Sequence, residues 1–244
     1  MFLRLLLLVL LLTGCSDISP SPPPPPSPTP LVFTPLDAAL TRGVPPSGAE
    51  ITTVGYVLVD DGGTRLVDGL SFSAGPAAVP LSDRGAQIWL AIDGASALKG
   101  ALRSAGDVRY ALALARGRLE GPGSYGPGGA YRFRIADPRL DSIAPEETTV
   151  ADLLDRSAVY EGRIVRIVGE LLAQDEAALL VERIGPGGVP DSKARQVKLR
   201  APIRDTSLLE RLQGVSGGVR FGRVQVEGFW RNNVLTPLAI LPVT

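Results

Sequence analysis

Between Arg163 and Leu172 apolar and polar residues alternate, with Val165, Ile167, Gly169 and Leu171 on one side and Arg166 and Glu170 on the other. A two-residue period of this length is satisfied by a strand with one face in a core and not by a helix. The pattern recurs downstream. Ala177–Ile184 reads as a second strand, broken by Gly185-Pro186-Gly187-Gly188, and Gln196–Ala201 as a third, with Val197 and Leu199 inward and Lys198 and Arg200 outward. Thr206–Leu212 carries Leu208, Leu209 and Leu212 on one helical face. Gly222–Trp230 then alternates with Val224, Val226, Gly228 and Trp230 on one side, Asn232-Asn233 supplies a turn, and Val234–Val243 is the last strand. A short helix precedes the set at Thr148–Leu154, with a threonine as its N-cap.

The first half repeats the order. Glu50–Val59 is a strand, Asp60-Asp61-Gly62-Gly63 a hairpin turn and Thr64–Val67 a return strand. Gln87–Ile92, a helical Ala95–Arg103, and strands Val108–Leu119 and Tyr131–Ile143 follow. Three strands, a helix and two strands is the order of the OB-fold, a small Greek-key barrel. The expected fold is mostly β: two tandem OB-like small β-barrels, each with a short helix, over 31–144 and 145–244. Tyr160–Glu170 together with Gly222–Gly228 is similar to OB-fold domains of the nucleic-acid-binding and bacterial exported kinds. Gly55–Val59 through Thr64–Asp68 to Gly75–Ala78 also resembles small bacterial exported proteins of unassigned role. Those carry cysteines where this chain has Val67 and Ala78, so the disulfide they imply is absent.

Ahead of the barrels, Met1–Arg4 carries one charge, Leu5–Leu12 is all leucine and valine, and Thr13 and Gly14 precede Cys15, the only cysteine. That is the layout of a secretory signal over 1–14. Its eight apolar residues fall well short of the ~20 that span a membrane as a helix. Leu12-Thr13-Gly14-Cys15 resembles the bacterial lipobox. The resemblance implies cleavage before Cys15, a diacylglycerol on its sulfur, and anchoring in membrane lipid on the outer, extracytoplasmic side. Residues 15–30 continue as a linker whose Pro22–Pro26 run can join neither helix nor sheet. As polyproline II, at ~3.1 Å per residue, Pro20–Pro30 would hold the barrels ~35 Å from the lipid.

Lys and Arg total 25, as do Asp and Glu, so the chain lacks the overall basic excess usual in nucleic-acid binders. Histidine is absent, which together with the committed cysteine excludes imidazole bases, thiol nucleophiles, His/Cys metal sites and Ser-His-Asp hydrolysis. No cofactor is implied. Asp60-Asp61-Gly62-Gly63 reads as a turn before a calcium loop. Gly121–Gly129 lacks the Lys-Ser or Lys-Thr of a phosphate cradle and reads as a mobile hairpin loop. The pairs Glu146-Glu147 and Asp175-Glu176 read as solvated turn charges.

The candidate ligand face lies in the second barrel. Arg163, Arg166, Lys198 and Arg200 would share a sheet if its first and third strands are neighbours, with Phe229 for stacking. Tyr131 and Phe133, alternating with Arg132 and Arg134, make a parallel case in the first. A solvated strand face is the plainer account of both. The functional expectation is a non-catalytic binding or assembly module toward another envelope protein. A surface receptor for oligonucleotide or oligosaccharide is the alternative, and a carboxylate-based envelope hydrolase the third.

Overall fold

The alternating segments form the strands that their period demands. The computed structural model describes residues 32–41, 47–72, 78–80, 86–185, 188–200, 203, 205–215 and 217–243. The leader, Cys15 and the proline linker lie outside the described residues. The first half runs α1 (Leu36–Thr41), β1 (Glu50–Asp60), β2 (Gly63–Val67), β3 (Leu70–Phe72), β4 (Ala78–Pro80), β5 (Gln87–Leu90), α2 (Gly94–Ala97), β6 (Arg103–Ala105), β7 (Val108–Glu120) and β8 (Arg134–Ser142). The second runs β9 (Glu146–Thr148), α3 (Val150–Asp155), α4 (Ser157–Tyr160), β10 (Ile164–Gln174), β11 (Ala177–Val181), β12 (Gln196–Leu199), α5 (Thr206–Arg211), β13 (Gln213–Gly214), β14 (Arg220–Arg231) and β15 (Val234–Pro242).

Each half closes on itself. In the first, β1 pairs with β2, β2 with β5, β5 in parallel with β8, β8 with β7, and β7 back with β1. The second ring is β10, β11, β12, β15, β14 and back to β10, again with one parallel contact, β12 to β15. Both are five-stranded closed barrels with the Greek-key order of the OB-fold. Val57, Leu66, Ile88, Leu90 and Ile135 fill the first, with Leu36 of α1 added to the same core. Val165, Ile167, Leu180, Val197, Val226 and the fully buried Trp230 fill the second, with Leu153 of α3 and Leu208 of α5. The Thr149 hydroxyl caps α3 by accepting from the Asp152 N–H at 3.0 Å.

A glycine lets each first strand bend. Gly55 and Gly169 sit one residue before their strands begin to pair with β2 and β11. A Cβ on Gly55 would stand 2.3 Å from the Val67 carbonyl oxygen, and one on Gly169 2.9 Å from the Leu180 side chain.

Three features depart from the expected order. The helix before β7 is shorter: α2 ends at Ala97, a turn follows in which Ala101 donates to the Leu98 carbonyl, and Arg103–Ala105 forms the hairpin strand β6. Glu146–Thr148 is a strand, parallel to β10, rather than a solvated turn. The β3–β4 hairpin leaves the first barrel to add to the second, Leu70 pairing in parallel with Ala239. Burial explains the last, since Leu70 is fully buried between the barrels, and the Arg211 guanidinium of α5 donates to the Phe72 carbonyl.

Gly169→Val is expected to lower unfolding stability by about 1–3 kcal/mol through overpacking, and Gly55→Val by at least as much because its clash is with backbone. Denaturant titration measures both. An unchanged midpoint for either would show that close approach does not shape the first strand.

Candidate functional site

Two regions gather polar side chains, one buried and one facing solvent. The buried one is the seam between the barrels. Val54, Tyr56, Leu58, Val67, Leu70, Leu112, Leu114, Ile164, Leu238 and Ala239 form an apolar cluster drawn from both halves. Set into it is Glu227, 1 % exposed. Register explains its company: across β9, β10 and β14, Glu147, Arg166 and Glu227 stand in a row. Arg166 donates from Nε to Glu227 Oε1 at 2.8 Å and from Nη1 to Glu147 at 2.6 Å. Its Nη2 lies 2.7 Å from Oε1 without hydrogen-bond alignment. From the first barrel Tyr56 donates its hydroxyl to Glu227 Oε2, and Arg103 reaches Oε1 at 3.3 Å. Burial and the Glu227 charge push the Tyr56 phenol well above its ordinary value of 10.0. A cavity of about 30 Å³ beside Tyr56, Arg103 and Glu227 has room for water and for no organic ligand.

The exposed region lies on the outside of the first barrel. Arg65 of β2, Trp89 of β5 and Arg134 of β8 occupy matched positions on three adjacent strands. Ile88 and Leu90 point into the core, so alternation turns Trp89 outward, where it is half-buried. Carboxylates fix both flanking guanidinium groups. Arg65 lies 2.6 Å from Asp60, and Arg134 lies 2.6 Å from Glu120. The Arg134 and Arg118 hydrogen bonds hold the Glu120 carboxyl below its ordinary value.

The hairpin tips complete this face. Gly63, at φ +106°, would place a Cβ 2.2 Å from the Trp89 ring, so a bare backbone is what lets the indole lie over the β1–β2 turn. In that turn Gly62 donates to the Asp60 carboxylate at 2.9 Å. Opposite, the connection from β7 to β8 is a hydrogen-bonded hairpin rather than a loose loop. Tyr125 and Tyr131 exchange backbone bonds of 2.9 and 3.1 Å. The Tyr131 ring sits 5.5 Å from Trp89, and Arg134 lies over Tyr125 at 4.9 Å.

The residues singled out in the second barrel are dispersed. β11 separates β10 from β12, so Arg163 and Arg166 do not adjoin Lys198 and Arg200. Arg163 pairs with Glu146 at 2.9 Å, and Arg166 belongs to the seam. Phe229 packs edge-on against Phe33, 4.7 Å away. Lys198 on β12 and Arg200 just past its end are exposed, with Arg200 donating to Thr236 at 3.2 Å. In the first barrel Phe133 is buried in the core while Tyr131, Arg132 and Arg134 are not. Trp89 was legible only as the middle residue of the alternating Ile88-Trp89-Leu90.

Glu227→Ala is expected to destabilise the protein by about 1–3 kcal/mol, because the buried Tyr56 hydroxyl loses its acceptor while Arg166 keeps Glu147. Tyr56→Phe should cost about 1.5–3 kcal/mol, the range for a hydrogen bond to a charged group. The Tyr56 shift also fixes a sign. Above pH 10.0 the unfolded phenol releases its proton while the folded one keeps it, so stability falls as pH rises, and Tyr56→Phe should flatten that alkaline slope. Equal slopes in the two proteins would contradict the assignment. Among the described residues, no group of three or more acidic, histidine or cysteine side chains is placed to hold a metal ion, and no helix is long and apolar enough to cross a membrane. Comparison with protein-family models, with curated proteins and with solved structures finds no match for this chain.

Proposed function

We propose that this protein is a lipid-anchored, extracytoplasmic, non-catalytic binding module, and that its ligand face is the Arg65–Trp89–Arg134 row of the first barrel. The observation that carries the reading is the register across β2, β5 and β8, which sets one indole between two guanidinium groups already held by Asp60 and Glu120. Side chains pinned in this way give up little further freedom when a ligand arrives. The outer face joining β2 to β5 is also where OB-folds take oligomeric ligands, an argument from fold alone.

Anchoring follows from the Leu12-Thr13-Gly14-Cys15 run and the proline tract behind it. Several acyl chains on Cys15, at ~0.8 kcal/mol per buried CH₂, would hold the protein on the outer side of a membrane. The partner is then a component of the envelope. The Lys198 and Arg200 pair supports a weaker second reading, an oligonucleotide receptor on the second barrel, because a basic groove there would track phosphates.

Two experiments test the proposal. Cys15→Ser is expected to abolish incorporation of a fatty-acid probe, and unchanged labelling would refute the anchor. A photo-crosslinker at Arg132, exposed beside the Trp89 face, is expected to trap an envelope component in intact cells, with the adduct lost in a Trp89→Ala background. A crosslinker at Arg109, exposed on β7, serves as the control. Adducts indifferent to Trp89→Ala, or equal at both positions, would refute the assignment of the face.

A further inference from the structure

The chemistry of the Trp89 face narrows the ligand class, on the reading just proposed. Its cations are largely neutralised. Arg65 is matched to Asp60, Arg134 to Glu120, and Arg118 bonds Glu120 at 3.2 Å and approaches Asp137 at 3.7 Å. Phosphate chains are gripped by uncompensated positive charge and release counterions on binding. Beyond the exposed Arg132, which lies over the Phe133 ring, this face has little charge of that kind to offer. The exposed large hydrophobic residues among those described, Val32, Val159, Val168, Val189 and Val243, all lie elsewhere, so the apolar part of this face is its aromatic rings.

What the face does present is a half-buried indole with an adjacent phenol, bordered by fixed guanidinium forks and by carboxylates beside them. An aromatic face takes an apolar surface of matching area. The C–H face of a pyranose ring is such a surface, and its vicinal hydroxyls both donate and accept. Arginine offers donors only and carboxylate acceptors only, so an Arg–carboxylate pair meets a diol from both sides without net charge. A few placed polar groups around an apolar floor is the usual make-up of a site for an uncharged ligand.

We infer that the Arg65–Trp89–Arg134 face binds an uncharged oligosaccharide, one pyranose ring stacking on Trp89 and its hydroxyls meeting the Asp60–Arg65 and Glu120–Arg134 pairs. Such binding is insensitive to salt, because no counterions leave.

Tryptophan emission reads this out. The chain has two tryptophans, and the other, Trp230, is 0 % exposed in the second core. The full-length protein in detergent micelles is titrated with chitohexaose, with cellohexaose and with a short single-stranded oligothymidylate. The expected result is a saturable emission change with at least one of the two saccharides, at an affinity that raised salt leaves unaltered. Trp89→Phe should keep binding by retaining an aromatic ring, monitored calorimetrically, while Trp89→Ala and Glu120→Gln each weaken it about tenfold or more. Far-UV circular dichroism must match the unsubstituted protein for a variant to count, and Arg109→Ala is the neutral control. No response to either saccharide at millimolar concentration overturns the inference. Oligothymidylate binding with steep salt dependence that Trp89→Ala abolishes also overturns it while leaving a binding module intact, and the Arg132 crosslink in cells tests that underlying reading separately.

Discussion

The buried carboxylate of Glu227 is the constraint from which the rest of the arrangement follows. An acidic side chain 1 % exposed is sustained only if its oxygens meet fixed polar partners. Arg166 satisfies it from within the second barrel, but the Tyr56 hydroxyl and the Arg103 guanidinium come from the first. Separating the barrels would therefore remove two of its three hydrogen-bonding partners. The apolar cluster around it and the β3–β4 hairpin, built into the neighbour's sheet, act in the same direction. Glu227 itself adds specificity of alignment more than net stability, because only one relative placement of the barrels brings Tyr56, Arg103 and Arg166 to it together.

The seam also decides which surfaces remain for a ligand. It takes up Ile164 of β10, Glu227 and Phe229 of β14, and Leu238 and Ala239 of β15 in the second barrel, with Phe33 closing on Phe229. It occupies the face of β1 that carries Tyr56 and Leu58 in the first. The β2–β5–β8 face is left open, and there the chain keeps a tryptophan out of the core between two paired arginines. Half-burial of that ring and neutralised charge along its edges are properties of one surface built by register, turn geometry and two close carboxylates.

Sequence made the barrels legible because period-two alternation is local. The inward sets Val165–Leu171 and Val224–Trp230, the Asp60–Gly63 turn and the threonine cap at Thr149 need no knowledge of the rest of the chain. The seam was not legible by the same means. Glu227 lies on the face opposite Val226 and Trp230, and alternation assigns it to solvent, since nothing nearby in sequence announces a second barrel. The run Val54-Gly55-Tyr56-Val57-Leu58-Val59 carried the missing signal, because a strand apolar on both faces is covered on both. Grouping Arg166 with Lys198 and Arg200 requires first and third strands to adjoin, whereas β11 lies between them. Trp89 does not stand out in the sequence because a short strand gives its alternation only four residues in which to show.

Differential scanning calorimetry of the unsubstituted protein tests most directly the claim that the seam makes two barrels into one unit. The account predicts a single transition whose calorimetric and van't Hoff enthalpies agree for the whole chain, with Glu227→Ala resolving it into two. Two independent transitions in the unsubstituted protein would contradict it, and would show that the barrels fold and unfold without reference to the charge buried between them.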